Sequence, residues 1–221
     1  MADYSTGPVT LTGMILSSSP VSESDRRVVI LTKERGKITA FAKGARRQSS
    51  RLLASTECFC FGSFKMFEGR SAYNLIDAGV THYFEELRRD FDGACLGMYF
   101  LEFADYYTRE NNDETAMLKL LFQSIRAICA KGLDNRLVKV IYEMKALVVN
   151  GEFPGIPADR KLSDSAVYAI NFIVNTPVEK LYTFAVNDSV LLELTEVADT
   201  YRRRFIDRKF KSLDFLGTLG V

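Results

Sequence analysis

Apolar and polar positions follow two different periods along this chain, and the change falls near Tyr83. From Val9 to Leu16 the alternation sets Val9, Leu11, Gly13 and Ile15 against Thr10, Thr12 and Met14, the period of two of a half-buried strand. Residues 27–32, 37–43, 58–67 and 72–80 read as four further strands. Between them lie Glu34-Arg35-Gly36, the polar stretch 46–50 and Glu68-Gly69-Arg70-Ser71, each with turn chemistry. Five strands in about eighty residues, with no long helix among them, predict a small barrel; an OB-fold fits, and an SH3-like barrel fits nearly as well.

After Tyr83 the period becomes helical. Asp90 is placed to cap a helix over 91–107, with Phe91, Cys95, Met98, Leu101 and Ala104 on one stripe. A second helix is expected from Asn112-Asp113 to Ala130, stopped by Lys131-Gly132, and a third from Asp134 or Asn135 to Val149, ended by Asn150-Gly151. The prolines and glycine of Glu152-Phe153-Pro154-Gly155-Ile156-Pro157 make that stretch irregular. Ser163 opens a helix to Val174, Thr176 with Pro177 reads as an N-cap followed by proline at the first helical position, and Asn187-Asp188 caps a long segment to Ile206. The fold class is therefore α+β, mainly β and then all-α: an OB-fold nucleic-acid-binding domain over residues 1–82 and a helical domain over 83–221. Tyr99, Phe100, Phe103, Tyr106 and Tyr107 lie too densely on one helix to be a ligand stripe and are assigned to packing.

Charge changes this picture locally. The 221 residues carry a net charge of +1, yet Arg26, Arg27, Lys33, Arg35, Lys37, Lys43, Arg46, Arg47 and Arg51 face a single acid within their span, Glu34. A merely solvated face mixes both signs, so the one-sided run predicts a polyanion site. The plainer alternative is that cations keep exposed strands soluble and unpaired. The nucleic-acid-contact candidates are Arg26, Arg27, Lys37, Lys43, Arg46, Arg47 and Arg51; Lys33 and Arg35, beside Glu34 in a turn, are more expendable. Lys43-Gly44-Ala45-Arg46-Arg47 is the sharpest element, because glycine permits a turn while the flanking cations grip phosphates. Phe41, Phe59, Phe61, Phe64, Phe67 and Tyr73 either stack bases or fill the barrel. A second basic cluster, Arg202, Arg203, Arg204, Arg208, Lys209 and Lys211, is a candidate for an acidic protein tail or a second DNA contact, although a helix C-terminus attracts cations in any case. Residues 1–82 hold eleven Lys and Arg against seven Asp and Glu, and the remainder eighteen against twenty-one, which centres nucleic-acid contact on the first domain.

Composition sets the outer bounds. With 47% hydrophobic and 26% charged residues the chain is ordinary globular protein, and no window approaches the ~18 uncharged apolar residues of a membrane span. The first residues lack the basic and apolar regions of a signal peptide, so a cytoplasmic location is expected. No phosphate-binding loop, dinucleotide fingerprint, zinc-protease helix or serine nucleophile elbow occurs, so the expectation is a protein without enzymatic activity or cofactor. Cys58, Cys60, Cys95 and Cys129 match no zinc spacing and His82 is the single imidazole, so no metal site is expected. Glu85, Glu86, Asp90 and Asp92 could serve a metal nuclease, but the helix dipole already explains acids in a first turn.

Three segments in order, Ser22-Glu23-Ser24-Asp25-Arg26, Leu31-Thr32-Lys33-Glu34-Arg35-Gly36-Lys37 and Lys43-Gly44-Ala45-Arg46-Arg47, resemble the N-terminal signature of the bacterial recombination mediator family RecO. Residues 181–184 and 201–216, including Arg208-Lys209-Phe210-Lys211-Ser212-Leu213-Asp214-Phe215-Leu216, are similar to that family's C-terminal region. The resemblance implies an N-terminal OB-fold, a helical domain, and a non-enzymatic role. That role is to bind single- and double-stranded DNA, anneal complementary strands and assist RecA loading onto DNA coated with single-strand-binding protein. It implies RecR and the C-terminal tail of single-strand-binding protein as partners, RecA indirectly, no membrane, and a place in the bacterial cytoplasm at the nucleoid. Where many relatives carry a four-cysteine zinc module, residues 151–161 contain no cysteine, which implies a zinc-free, shortened form and leaves any contact routed through that module in doubt. The electrostatics alone equally fit an RNA- or ribosome-associated OB-fold protein, or a protein-interaction scaffold.

Overall fold

A computed structural model describes residues 7–213 apart from Lys131 and Asp159, so positions 214–216 of the C-terminal resemblance lie outside the described residues. Five strands, β1 (Val9–Pro20), β2 (Arg26–Thr32), β3 (Gly36–Ala42), β4 (Phe61–Glu68) and β5 (Tyr73–His82), close into a barrel in the order β1-β2-β3-β5-β4. Every pairing is antiparallel except β3 with β5, which is parallel. A short helix, α1 (Leu52–Ser55), sits between β3 and β4. This closure is that of the OB-fold and decides against the SH3-like alternative. Leu11, Ile15, Val28, Ile30, Ile38, Ala40, Ala42, Phe64 and Met66 fill the interior.

The strands differ from the sequence expectation in their bounds and in burial: β4 begins at Phe61, three residues after the expected start at residue 58. β1 runs on to Pro20, four residues past the end of the alternation. Met14, Leu16, Val29 and Leu31, whose neighbours point into the barrel, are themselves buried. That stretch of wall is therefore covered on both faces, which is why Val28-Val29-Ile30-Leu31 is continuously apolar rather than alternating.

The chain divides into two compact units, Met1–Glu85 with Ala104–Leu118 and Glu86–Phe103 with Lys119–Val221. Within the first, the β2–β3 turn is fastened to its discontinuous segment. Gly36 has φ +63°, and a Cβ there would come within 2.2 Å of the Arg109 carbonyl oxygen. Lys37 N donates to that same oxygen at 3.0 Å, and Asn111 N donates to the Arg35 carbonyl at 2.9 Å. Only glycine tolerates both the backbone conformation and the approach.

The second unit is helical, drawing on α2 (Phe91–Tyr107), α3 (Thr115–Cys129), α4 (Asn135–Val149), α5 (Asp164–Asn175) and α6 (Asp188–Phe205). The expected caps form: Asp90 accepts from Gly93 N, Asp134 from Arg136 N, Ser163 from Ala166 N and Asn187 from Val190 N. Each such cap stabilises by about 1 kcal/mol. Thr176 and Pro177 behave differently from expectation. Thr176 closes α5 with its amide donating to the Phe172 carbonyl, and only a single 3₁₀ turn, Val178–Lys180, follows Pro177. Tyr99, Phe100 and Phe103 are core residues: the Phe100 and Tyr142 rings stack with centroids 4.0 Å apart, and Phe210 closes on Tyr99 and Phe103. Tyr106 and Tyr107 are half-buried and meet edge to face. Among the described residues no helix is long and apolar enough to cross a membrane, and no three His, Cys, Asp or Glu converge as metal ligands would.

Candidate nucleic-acid interface

Of the seven basic residues nominated in the first domain, two are committed to the fold. Arg26 begins β2 with its side chain only 16% exposed, pairs with Glu57 at 2.6 Å, and donates to the Leu53 carbonyl and to Thr56 Oγ1. It ties the strand to α1 and has little left for a phosphate. Lys37 donates to the carboxylate of Asp105 at 3.1 Å and to the Asp105 carbonyl at 2.5 Å. It holds the turn described above. Glu34, the acid inside the basic run, is likewise occupied, accepting from Thr12 N at 2.9 Å.

The other five gather at one end of the barrel. Arg27 is exposed and lies opposite Phe41 in the β2–β3 register, on the face away from the core, where its guanidinium reaches Thr39 Oγ1 at 3.4 Å. The chain then leaves β3 through Lys43-Gly44-Ala45-Arg46-Arg47, with Gly44 at φ +66°. Lys43, Arg47 and Arg51 have exposed side chains that make no hydrogen bond or ion pair among the described residues. Arg46 is exposed too, with one guanidinium nitrogen donating to the Ser22 carbonyl at 2.8 Å.

This loop is fixed from the β1–β2 turn. The Asp25 carboxylate accepts from Gly44 N at 2.7 Å, and Arg46 N donates to the Ser24 carbonyl at 2.9 Å. Ala45 N and Arg47 N are used inside the loop, by the carbonyls of Ala42 and Gly44. The amides of residues 44–47 are thus all occupied, and an anion arriving here meets side chains rather than a backbone nest. The Gly44 amide, followed by the Ser22 and Ser24 hydroxyls and Lys43, holds the Asp25 carboxyl below the usual carboxylate range, so the clamp is in its charged form at neutral pH.

The aromatic candidates separate as well. Phe64 and Tyr73 are barrel core, Phe41, Phe59 and Phe61 are half-buried, and Phe67 is 43% exposed. Phe41 is the one that shares a face and a register position with a nominated cation, Arg27. Sequence reasoning missed α1, which at four residues is too short to show a period, and the Asp25 clamp, whose sole trace is the polar run Ser22-Glu23-Ser24-Asp25.

The second cluster also divides. Arg202 is turned inward, 18% exposed, bonded to Asp199 at 2.9 Å and 3.5 Å from the buried carboxylate of Glu143. Arg203, Arg204, Lys209 and Lys211 are exposed, Arg204 lying over the Phe205 ring, and Arg208 is exposed with a partner of its own. The described residues of 151–161, where a zinc module was expected to be missing, are irregular, and the Gly155 carbonyl accepts from Tyr201 Oη at 2.8 Å.

A closed OB barrel with an exposed cationic loop at one end, in a chain that continues into a helical unit, defines a single-barrel OB-fold protein suited to a polyanion. Comparison with known families makes this specific. The family model Recombination protein O N terminal matches residues 7–84, and Recombination protein O C terminal matches residues 88–156. The chain belongs to the RecO family. It is 26% identical to DNA repair protein RecO of Acetivibrio thermocellus, over 94% of this chain and 95% of that protein. DNA repair protein RecO of Clostridium novyi is 24% identical over 93% of this chain and 92% of its own length. That of Listeria welshimeri is 34% identical over 142 residues, 64% of this chain and 55% of the relative.

Proposed function

We propose that this DNA repair protein is a recombination mediator without catalytic activity. It binds single- and double-stranded DNA through the barrel end formed by Arg27, Lys43, Arg46, Arg47 and Arg51, and brings complementary strands together. In this reading the cations neutralise phosphates, release counterions and lower the repulsion between strands, while Phe41 offers a ring to an unstacked base. In the same reading the DNA is handed to RecA, with RecR and the tail of single-strand-binding protein as partners, in the bacterial cytoplasm at the nucleoid; family membership supports this part. Of the second cluster, Arg203, Arg204, Lys209 and Lys211 are the cations available to an acidic tail, whereas Arg202 is occupied.

The observation that supports this reading is the loop 43–47, clamped in place with its cations left facing solvent. The test is annealing of complementary oligonucleotides without nucleotide triphosphate, together with oligonucleotide binding across a salt series. Wild type is expected to anneal. Arg27, Lys43, Arg47 and Arg51 give a slope of log K against log salt near −3 on single strands, at ~0.7 per neutralised phosphate. Lys43→Glu with Arg46→Glu and Arg47→Glu is expected to abolish annealing and flatten the slope. Annealing and slope that survive the triple substitution would refute the site.

A further inference from the structure

The least expected residue at this surface is an acid. Asp25 stands in the β1–β2 turn beside Lys43, Gly44, Arg46 and Arg47, where a negative charge opposes DNA by ordinary electrostatics. Its contacts point to a different role. One carboxylate oxygen takes the Gly44 amide at 2.7 Å, and the Ser24 hydroxyl donates to the same oxygen at 3.3 Å. The turn is itself held, Asp25 N donating to Ser22 Oγ at 3.1 Å and Val21 N to the Asp25 carbonyl at 3.2 Å. Gly44 has a left-handed φ, which glycine adopts freely, and its amide is the loop donor that the Asp25 carboxylate takes. The residues that follow carry Arg46 back to Ser22 and Ser24 and leave Arg47 against Gly44, where a Cβ would meet Arg47 Cδ at 3.7 Å.

We propose that Asp25 is the positioning residue of the DNA-binding loop: its carboxylate fixes Gly44 and thereby the directions in which Lys43 and Arg47 present their charges. The inference rests on the DNA-binding reading above. It makes a claim contrary to simple charge counting, namely that deleting this negative charge weakens binding to a polyanion when the hydrogen bond is deleted with it. Free in solution, a loop of flexible cations must be ordered by each strand it binds, at a cost in side-chain and backbone entropy. A loop already clamped avoids that cost.

Two substitutions separate the charge from the clamp. Asp25→Asn removes the charge and keeps an oxygen that can accept from Gly44 N, whereas Asp25→Ala removes both. With a labelled oligothymidylate as probe, Asp25→Asn is expected to bind more tightly than wild type. Asp25→Ala is expected to bind more weakly than wild type and on the order of tenfold more weakly than Asp25→Asn, with a salt slope shallower by about 0.7–1.4, the loss of one or two phosphate contacts. Equal affinity and slope for the two variants would overturn the inference, since Asp25 would then act only as a charge. An Asp25→Ala protein whose lost affinity tracks a lowered melting temperature would also overturn it, because the carboxylate would be holding the barrel rather than the loop. The triple glutamate variant keeps the two levels apart. If it binds like wild type, the site itself is wrong; if it fails to bind while Asp25→Ala follows Asp25→Asn, the positioning role alone is wrong.

Discussion

Replacing Arg202 by alanine is expected to destabilise the helical unit by about 2–3 kcal/mol, although its neighbours Arg203 and Arg204 tolerate the same change. The reason lies in Glu143, a carboxylate 1% exposed in the middle of α4. It accepts from Tyr99 Oη at 2.6 Å and has two cations near it, Lys139 Nζ at 3.7 Å and Arg202 Nε at 3.5 Å. Among the described residues its second oxygen and Arg202 Nε have no hydrogen-bond partner, so the carboxylate depends on these charges. At 3.5 Å and an effective dielectric of ~20 the gross attraction is about 5 kcal/mol, of which the burial of both ions offsets a large part. Stranding a buried charge completely costs ~3–5 kcal/mol; Lys139 and Tyr99 remain, which halves that, and the lost Asp199 pair adds at most about 1. For a chain of this size a loss of 2–3 kcal/mol lowers the melting temperature by roughly 5–10 °C. Calorimetry on Arg202→Ala, Arg203→Ala and Arg204→Ala gives the comparison, with the last two expected within about 0.5 kcal/mol of wild type. Adding Glu143→Gln to Arg202→Ala should recover at least about 1 kcal/mol, because it removes the stranded charge and keeps an acceptor for Tyr99. An Arg202→Ala protein that melts with Arg203→Ala, or a double variant no better than the single, would refute this account.

Other expectations follow from groups already placed. Lys37→Ala should lower stability by about 1–2 kcal/mol through its bonds to Asp105 and leave the DNA salt slope unchanged; a slope shallower by ~0.7 would show Lys37 reaching a phosphate. Lys145, buried on α4, donates to the carbonyls of Ile173 at 3.1 Å, Val174 at 2.7 Å and Thr176 at 2.8 Å. Lys145→Met should therefore uncap α5 and cost about 2–4 kcal/mol in denaturant titration, and an unchanged midpoint would contradict it. Burial, aided by Glu86 and Asp90, pushes the Cys129 thiol up to about 11. A raised thiol stabilises below its ordinary value of 9.0 and loses that contribution as pH climbs through about 11, so Cys129 should resist alkylation at neutral pH and react only in strong alkali. Rapid modification of the native protein near neutrality would contradict it.

Much of the architecture was legible because it rests on local signals. The barrel strands follow from alternation and the helices from caps: Asp90, Asp134, Ser163 and Asn187 each stand where their side chains accept the first amides. The errors fall where tertiary context overrides the pattern. Thr176-Pro177 has the residue types of a helix start, yet the start yields one 3₁₀ turn because α5 has only just ended there. The first strand alternates as a half-buried strand does, yet Met14 and Leu16 are buried along with Val29 and Leu31, because this wall is covered on both faces. Nothing local announces that residues 104–118 join the barrel unit. That fact decides the fate of Lys37, whose carboxylate partner is Asp105, 68 positions along the chain.

The cationic run therefore shows what a window of charges conveys and what it omits. Counted within 26–51, nine cations face one acid, and each looks available to a ligand. The groups that engage Arg26 and Lys37, Glu57 and Asp105, lie outside that window, while Glu34 inside it is turned onto β1. Availability to a ligand is thus set by which side chains lack an internal acceptor, a property of the closed barrel and not of composition. Lys43, Arg47 and Arg51 meet that condition because they lie on the loop that leaves β3, beyond the last ladder pair at Ala42, with the loop's own amides satisfied by Asp25, Ser24, Ala42 and Gly44. An acid that occupies a backbone donor leaves the neighbouring cations without a direct ion pair. An acid that pairs with a cation removes it from use. Asp25 and Glu57, close in sequence to the same basic run, act in these different ways, and that difference selects the part of the run left facing solvent.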